Sequence, residues 1–162
     1  RILTGRVLEM SKGAMVMVET CIDDMNPELC GYVSERLFAL GANDVYLIPV
    51  FMKKGRPGVL IQVLCNEALR LSVISEILTE TSAIGVRYYR VERHVLQREI
   101  IAVETPYGPV GAKRVKSPDG SWRVAPEYES CRRVAESLNI ALPTVYESVV
   151  ANAANGRYQP DK

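Results

Sequence analysis

Three short segments of this 162-residue chain combine acidic, basic and hydroxyl side chains in a way that suits a metal-associated polyphosphate. Residues 21–28 read CIDDMNPE, residues 52–58 read MKKGRPG, and residues 80–87 read ETSAIGVR. Carboxylates are hard oxygen ligands for Mg²⁺ or Mn²⁺, whereas lysine, arginine and turn amides bind phosphate oxygens. If the fold brings the three segments together, they could hold one ligand.

Asp23 and Asp24 in the first segment admit two interpretations. As adjacent carboxylates they could ligate a divalent cation that also carries waters and substrate phosphates. They also come just before a predicted helix start, where negative charge is favourable by ~0.3–1 kcal/mol through the helix dipole. Their spacing alone leaves both interpretations open.

The second segment places Lys53, Lys54 and Arg56 beside Gly55 and Gly58 in a short turn. Lysine supplies a mobile point charge and arginine a fixed two-pronged contact, so the mixture suits a polyphosphate. An ordinary solvated hairpin, with lysines that guard a sheet edge, is the alternative. Convergence with the acidic segment favours phosphate.

The third segment offers a carboxylate at Glu80, hydroxyls at Thr81 and Ser82, a flexible turn at Gly85 and a further cation at Arg87. The carboxylate could join a metal shell, and the hydroxyls could donate to phosphate or ribose. The alternative is a polar helix end with a glycine stop.

Hydrophobic periodicity predicts the elements that position these segments. Asn26, as an N-cap with Pro27 at the first helical position, predicts a helix start, and Gly41 predicts its end. We predict strands over residues 14–21, 44–52, 59–65 and 86–95, and helices over residues 27–40 and 67–81. This βαββαβ order predicts a ferredoxin-like α+β sandwich. In that topology the first two strands run parallel with the third between them, and all three segments emerge at one end of the sheet.

The rest of the chain predicts a small antiparallel β hairpin and helix subdomain. Strand-like stretches at residues 99–105, 110–115 and 122–124 alternate with turns. Helices over residues 127–138 and 143–154 follow, and we expect residues 157–162 to be frayed. The predicted domains are therefore residues 1–96 and 97–162. A second basic cluster of Lys113, Arg114 and Lys116 is expected to be a solvated face.

Composition excludes several classes of function. A formal net charge of +1 and 7% aromatic residues argue against a general nucleic-acid binder. The sequence has neither a transmembrane run nor a signal-peptide layout, so we expect a cytoplasmic protein without membrane contact. Because the chain begins with Arg1, we expect a fragment of a longer protein.

The soft metal ligands are sparse. Cys21, Cys30, Cys65 and Cys131 form no C-x-x-C pair and are expected to be reduced thiols that act as small hydrophobes. The only histidine, His94, is expected on the surface among arginines. These observations argue against a zinc ribbon and a transition-metal store.

The three segments resemble the carboxy-terminal part of the LarC family, the nickel-insertion proteins of nickel-pincer cofactor biosynthesis. The matching motifs are E-T-x-I-D-D-M-N-P-E at residues 19–28, M-K-K-x-R-P-G at 52–58 and E-T-x-x-I-G-V-R at 80–87. Residues 105–108 (TPYG) and 126–129 (PEYE) are similar too, so the resemblance covers about residues 15–150. The family typically has asparagine where this chain has Cys21, and an acidic residue where it has Ser130.

The resemblance implies a CTP-dependent nickel chelatase or cyclometallase of the lyase class. Such an enzyme places nickel, its substrate metal, into pyridinium bisthiocarboxylic acid mononucleotide to make the cofactor of lactate racemase. The implied nucleotide-binding residues are Lys53, Lys54, Arg56, Thr81 and Arg87, and the implied ligands for Mn²⁺ or Mg²⁺ are Asp23, Asp24 and Glu80. A homo-oligomer, trimer or hexamer, is also implied, with the absent amino-terminal part contributing to nickel handling. No catalytic nucleophile or general base stands out.

The competing interpretation is a non-catalytic module of a larger protein. Ferredoxin-like sheets often associate through edges or faces and bind small effectors where copies meet. In that case the three segments would serve oligomerisation or effector binding.

Overall fold

A computed structural model describes residues 14–160 of the chain. They form two compact units, residues 14–94 and residues 95–160. Each unit is built on its own four-stranded antiparallel sheet with two α-helices. The predicted α+β class is confirmed.

The first unit is the predicted βαββαβ sandwich. Its elements are β1 (Met15–Ile22), α1 (Leu29–Ala39), β2 (Asp44–Phe51), β3 (Pro57–Asn66), α2 (Arg70–Glu80) and β4 (Arg87–Val91). The strand order is β2-β3-β1-β4, and β3 pairs antiparallel with both of its neighbours. β1 and β2 therefore run parallel with β3 between them, as the sequence predicts.

The core of this unit lies between one face of the sheet and the two helices. Alternate residues of β1, Val16 and Val18, are fully buried, as are Val33 and Leu37 of α1 and the Val73–Ile77 pair of α2. Burying a valine or leucine side chain contributes ~1.5–3 kcal/mol, so this face fixes the register of β1. The opposite face of β1 carries Met15, Met17, Glu19 and Cys21, and no helix of residues 14–94 packs on it.

The ends of α1 differ in how well the sequence predicts them. The helix begins at Leu29 rather than at Pro27, because the Leu29 and Cys30 amides first bond to the carbonyls of Asn26 and Pro27 in a tight turn. Asn26 still accepts the Glu28 amide at 3.1 Å. At the other end Gly41 has φ +99°, and the Gly41 and Ala42 amides bond to the carbonyls of Phe38 and Leu37. This is a complete Schellman motif, so Gly41 ends the helix as predicted.

The second unit contains β5 (Arg98–Thr105), β6 (Gly108–Lys116), β7 (Trp122–Pro126), α3 (Tyr128–Leu138), α4 (Leu142–Ala154) and β8 (Tyr158–Pro160). The strand order is β7-β6-β5-β8. The expectation of a frayed tail is wrong for residues 158–160, because β8 pairs antiparallel with β5. A turn at Gly156, with φ +72°, sends the chain back to the sheet after α4.

The core of the second unit lies between its sheet and its two helices. Ile101, Val103 and Val110 of the sheet pack with Val145 and Val149 of α4, all five almost fully buried. The four cysteines are free: Cys65 and Cys131 are buried, and Cys21 and Cys30 are half-buried. Burial raises the pKa of the Cys65 and Cys131 thiols. The helices within residues 14–160 are all too short or too polar to span a bilayer.

Candidate functional site

Strand pairing brings the three polar segments to one end of the first sheet. Ile22, the last residue of β1, lies opposite Val59 near the start of β3, and Glu19 lies opposite Arg87, the first residue of β4. The loop after β1, the β2–β3 hairpin and the loop before β4 therefore lie at the same end of the sheet, and we call these three loops the loop cluster. Its segments are residues 23–28, 52–56 and 81–86.

The acidic loop is held by its two neighbours in the loop cluster. Asp23 Oδ2 lies 3.5 Å from Arg56 Nη1 of the hairpin. Asp24 Oδ1 accepts a hydrogen bond of 2.5 Å from the Ser82 hydroxyl, which belongs to the loop before β4. The predicted metal ligands Asp23 and Asp24 thus contact members of both other segments.

The basic hairpin presents its cations to solvent on an unusual backbone. Lys53, Lys54 and Arg56 are all exposed, and the Met52 amide bonds to the Arg56 carbonyl at 2.8 Å to close the turn. Lys54 has φ +62°, a left-handed conformation that costs a non-glycine residue ~1–3 kcal/mol. Gly55 follows with φ +68°. Strain of this kind concentrates at ligand-binding loops, where the surrounding structure holds it in place.

Gly58 explains how closely the hairpin approaches the acidic loop. A Cβ added at Gly58 would lie 2.6 Å from the carbonyl oxygen of Ile22, the residue before Asp23. Only glycine lets β3 pass this close to the end of β1. The distance between the acidic and basic loops therefore depends on this residue.

Glu80 and Thr81 are placed less directly for the predicted roles. Glu80 Oε1 lies 3.8 Å from Arg36 Nε of α1, so its carboxylate is paired across the helix layer. The Thr81 hydroxyl donates to the Ile77 carbonyl at 2.6 Å and accepts the Ala83 amide at 3.1 Å. Both side chains are thus engaged in contacts at the carboxy-terminal end of α2 rather than directed at the acidic or basic loop.

Arg87 belongs to a partly buried polar network around Glu19, and the sequence did not predict this network. Its Nε donates to Glu19 Oε1 at 2.6 Å, while Gln62 and Tyr89 donate to Glu19 Oε2 at 2.6 and 3.3 Å. Glu19 is only 7% exposed. The hydrogen bond from Arg87, and next that from Gln62, lower the pKa of the Glu19 carboxyl. The Arg87 guanidinium also lies 3.8 Å from the Cys21 sulfur, and its side chain is 62% exposed.

A sequence signal for Glu19 existed. Its neighbours along β1 are Met15, Val16, Met17 and Val18, and a carboxylate within so apolar a strand is seldom buried without a partner. The partner itself could not be chosen from sequence, because Gln62 and Arg87 lie 43 and 68 residues away.

An apolar cavity of about 300 Å³ adjoins the loop cluster. Asp23 and Gly58 form part of its wall, and the remaining lining is apolar or sulfur-containing: Ile22, Met25, Pro27, Cys30, Pro57 and Val59. The cluster therefore combines exposed cations, two carboxylates and an apolar recess. Within residues 14–160, no three His, Cys, Asp or Glu side chains converge as a preformed metal site.

Comparison with known proteins shows that the chain is similar to one protein family over most of its length. The family described as nickel insertion protein matches residues 1–146. The pyridinium-3,5-bisthiocarboxylic acid mononucleotide nickel insertion protein of Clostridium acetobutylicum is 44% identical over 133 residues, 82% of this chain and 32% of that protein. The protein of the same name from Acetivibrio thermocellus is 44% identical over 151 residues, 92% of this chain and 37% of that protein.

A solved structure is similar over most of the chain. It is described as LarC2 in apo form, the C-terminal domain of a cyclometallase involved in the synthesis of the NPN cofactor of lactate racemase. The TM-score is 0.80 at 37% identity, covering 87% of this chain and 97% of that one. The present chain spans about a third of the length of the curated relatives described above.

Proposed function

The chain belongs to the nickel insertion protein family, the LarC family, and from that premise we propose that its loop cluster binds CTP together with Mn²⁺ or Mg²⁺. On this proposal the chain is the carboxy-terminal part of a nickel-inserting cyclometallase, an enzyme of the lyase class. The substrates are nickel and pyridinium bisthiocarboxylic acid mononucleotide, a compound that appears in the names of two relatives. Nickel handling then falls largely to the portion of the full-length relatives that this chain does not span.

The pairing of Asp23 with Arg56 is the observation that carries the proposal. The carboxylate of Asp23 in one loop neutralises the Arg56 cation of the next at 3.5 Å. A nucleotide triphosphate with a divalent metal offers each group a stronger partner: phosphate oxygens for Arg56 and the cation for Asp23. Because either ligand alone would leave one member of the pair without its partner, we expect the two to bind cooperatively.

The other groups of the loop cluster suit the same ligand. Lys53 and Lys54 are exposed and take part in none of the ion pairs found among residues 14–160, so their charges are available to phosphate. The hard oxygens of Asp23 and Asp24 fit Mn²⁺ or Mg²⁺, which supplies charge neutralisation at the phosphates. The apolar cavity beside Asp23 provides a recess for the base or the ribose.

The remaining predicted residues take different parts in this proposal. Arg87 keeps its exposed guanidinium edge for the nucleotide, while Glu19 holds its Nε. The Thr81 hydroxyl shapes the loop through its bonds to Ile77 and Ala83. Glu80 would have to leave Arg36 before it could join the metal.

Oligomerisation is the second candidate function, and the open face of the first sheet favours it. Tyr46, Ile48 and Tyr89 are 38–48% exposed on that face, beside half-buried Met17 and Leu60. An apolar patch of this kind is typical of a surface that pairs with another copy. We propose a homo-oligomer, trimer or hexamer, and light scattering at several concentrations measures its size.

Titration calorimetry with CTP, ATP and GTP, each with and without Mn²⁺, tests the nucleotide proposal. We expect selective CTP binding that tightens about 5- to 150-fold when Mn²⁺ is present, the usual range for coupled ligands. If the three nucleotides fail to bind under either condition, the loop cluster is not a nucleotide site. The oligomerisation module then becomes the better account.

A further inference from the structure

The second unit contains a hollow of about 280 Å³ at the carboxy-terminal end of α4. One side is apolar and comes mainly from α4, and the other is aromatic and cationic. The lining residues are Arg114, Trp122, Val124, Val150, Ala153, Ala154 and Tyr158. All of them belong to residues 95–160, so the hollow is independent of the loop cluster.

Arg114 is held in place by aromatic rings. Its guanidinium carbon lies 4.1 Å from the centroid of the Trp122 ring and 5.3 Å from that of Tyr158. The Lys116 ammonium lies 6.0 Å from the same indole. The expectation of a solvated face is therefore wrong for Arg114, whose side chain is only 26% exposed.

The charge of Arg114 is incompletely balanced. Its one acidic contact among residues 14–160 is Glu99 Oε2 at 3.4 Å, and the Glu99 side chain is 45% exposed. A contact of this length to a solvated carboxylate is weak. The guanidinium is thus fixed in direction by two aromatic rings yet held only loosely by its counter-ion, which suits an incoming anion.

We infer that this hollow binds the pyridinium carboxylate ring of a mononucleotide, an inference that rests on the proposed function for the identity of the substrate. The flat pyridinium ring packs against the aromatic surface that Trp122 and Tyr158 present to the hollow beside Arg114. Its carboxylate or thiocarboxylate groups, or its phosphate, match the planar fork of Arg114. Val150 and Ala153 supply the apolar side.

The size and charge of the hollow favour this ligand over CTP. A volume of about 280 Å³ is close to the lower end for small-molecule pockets, which suits one substituted ring. A triphosphate calls for several converging cations, as on the hairpin with Lys53, Lys54 and Arg56, whereas the hollow has Arg114 with Lys116 behind it. The two units would then divide the work: nucleotide triphosphate in one and aromatic substrate in the other.

Fluorescence of Trp122 provides a direct test, because it is the only tryptophan in the chain. The probes are nicotinic acid mononucleotide, which is a pyridinium carboxylate, and nicotinamide mononucleotide, in which a neutral amide replaces the carboxylate. We expect saturable quenching by the acid and binding weaker by about tenfold for the amide, the effect of one charge-assisted hydrogen bond.

Four variants locate the binding. Arg114→Gln should weaken the acid probe by about tenfold or more, and Val150→Phe should block the hollow from its half-exposed helix side. Glu99→Gln should tighten binding, because it removes the competing carboxylate. Lys113→Gln changes a cation on the opposite face of the same strand and should leave binding unchanged.

The outcomes separate this inference from the nucleotide proposal. CTP with Mn²⁺ should not quench Trp122, and its binding by calorimetry should not respond to Arg114→Gln. Failure of CTP binding alone defeats the loop cluster and leaves the fluorescence result standing. If millimolar nicotinic acid mononucleotide leaves Trp122 unquenched, or if CTP quenches it equally well, the assignment of the hollow is wrong.

Discussion

Replacement of Arg56 by alanine should shift nucleotide and metal binding in opposite directions. Arg56 and Asp23 are partners at 3.5 Å, and the Arg56 side chain is 55% exposed. If Arg56 binds phosphate, Arg56→Ala removes a charge-assisted contact worth ~1.5–3 kcal/mol, so the Kd for CTP with Mn²⁺ should rise about 10- to 150-fold. Its removal also frees the Asp23 carboxylate.

The freed Asp23 carboxylate should strengthen Mn²⁺ binding even though the same substitution weakens CTP binding. An exposed ion pair is worth ~0.2–1 kcal/mol, so Mn²⁺ binding without nucleotide should tighten by about 1.4- to 5-fold in Arg56→Ala. The same estimate limits the loss of stability, and the melting temperature should fall by no more than about 4 °C. A mutation that merely damaged the fold would weaken both ligands.

The matched control is Arg36→Ala. Arg36 pairs with Glu76 and Glu80 across α1 and α2 and lies 5.7 Å from the Tyr32 ring, outside the loop cluster. This variant should lower thermal stability without raising the Kd for CTP, because the partner that it frees, Glu80, is itself a predicted metal ligand. Calorimetry on both variants, with Mn²⁺ and CTP titrated separately and together, measures the affinity for each ligand alone and in the presence of the other. Equal CTP affinity in the wild type and Arg56→Ala, or an equal loss in Arg36→Ala, would refute the counter-ion exchange.

The remaining predictions concern the strands and the helix that support the loop cluster. Glu19→Gln should lower the free energy of unfolding at pH 7 by ~1 kcal/mol, since it weakens the bond from Arg87. The folded-state pKa of Glu19 lies below its ordinary value of 4.5. The contribution of the ionised Glu19 carboxylate to the free energy of unfolding is therefore present above pH 4.5 and is lost as the pH falls through the folded-state pKa. Chemical denaturation at several pH values should accordingly show less acid destabilisation in the variant than in the wild type. Gly58→Ala should destabilise by ~1–3 kcal/mol through the clash with the Ile22 carbonyl. Gly31→Ala, within α1 and with nothing within 4 Å of the new Cβ, should instead stabilise by ~0.5–1 kcal/mol; a destabilised Gly31→Ala or a neutral Gly58→Ala in the same melts would contradict the packing described.

Local signals were enough to predict the first unit. Hydrophobic periodicity predicted α1 and α2, and Gly41 marked the end of α1 through a backbone conformation that favours glycine. Once the βαββαβ order is predicted, the topology of the sheet requires the three polar segments to lie at one end of it. The convergence of Asp23 with Arg56 and of Asp24 with Ser82 is therefore a consequence that sequence reasoning could reach.

Side-chain partners over long sequence separations could not be predicted in the same way. Glu80 has the residue type of a metal ligand, but its direction is set by Arg36, 44 positions earlier in the chain. Arg114 reads as a surface cation because its strand is basic, whereas Trp122 and Tyr158 come from two other strands. In both cases the decisive contact depends on packing between elements, for which the local sequence carries no signal.

The pairing of β8 with β5 implies an order of folding for the second unit. β5, β6 and β7 join through short turns, and their contacts form between residues close in sequence. Gln159 of β8 pairs with Ala102, across two intervening helices, and contacts of such high sequence separation tend to form slowly. The wall that Tyr158 gives to the hollow therefore assembles among the last steps, so the appearance of probe binding after dilution from denaturant would time the completion of this sheet rather than its initiation.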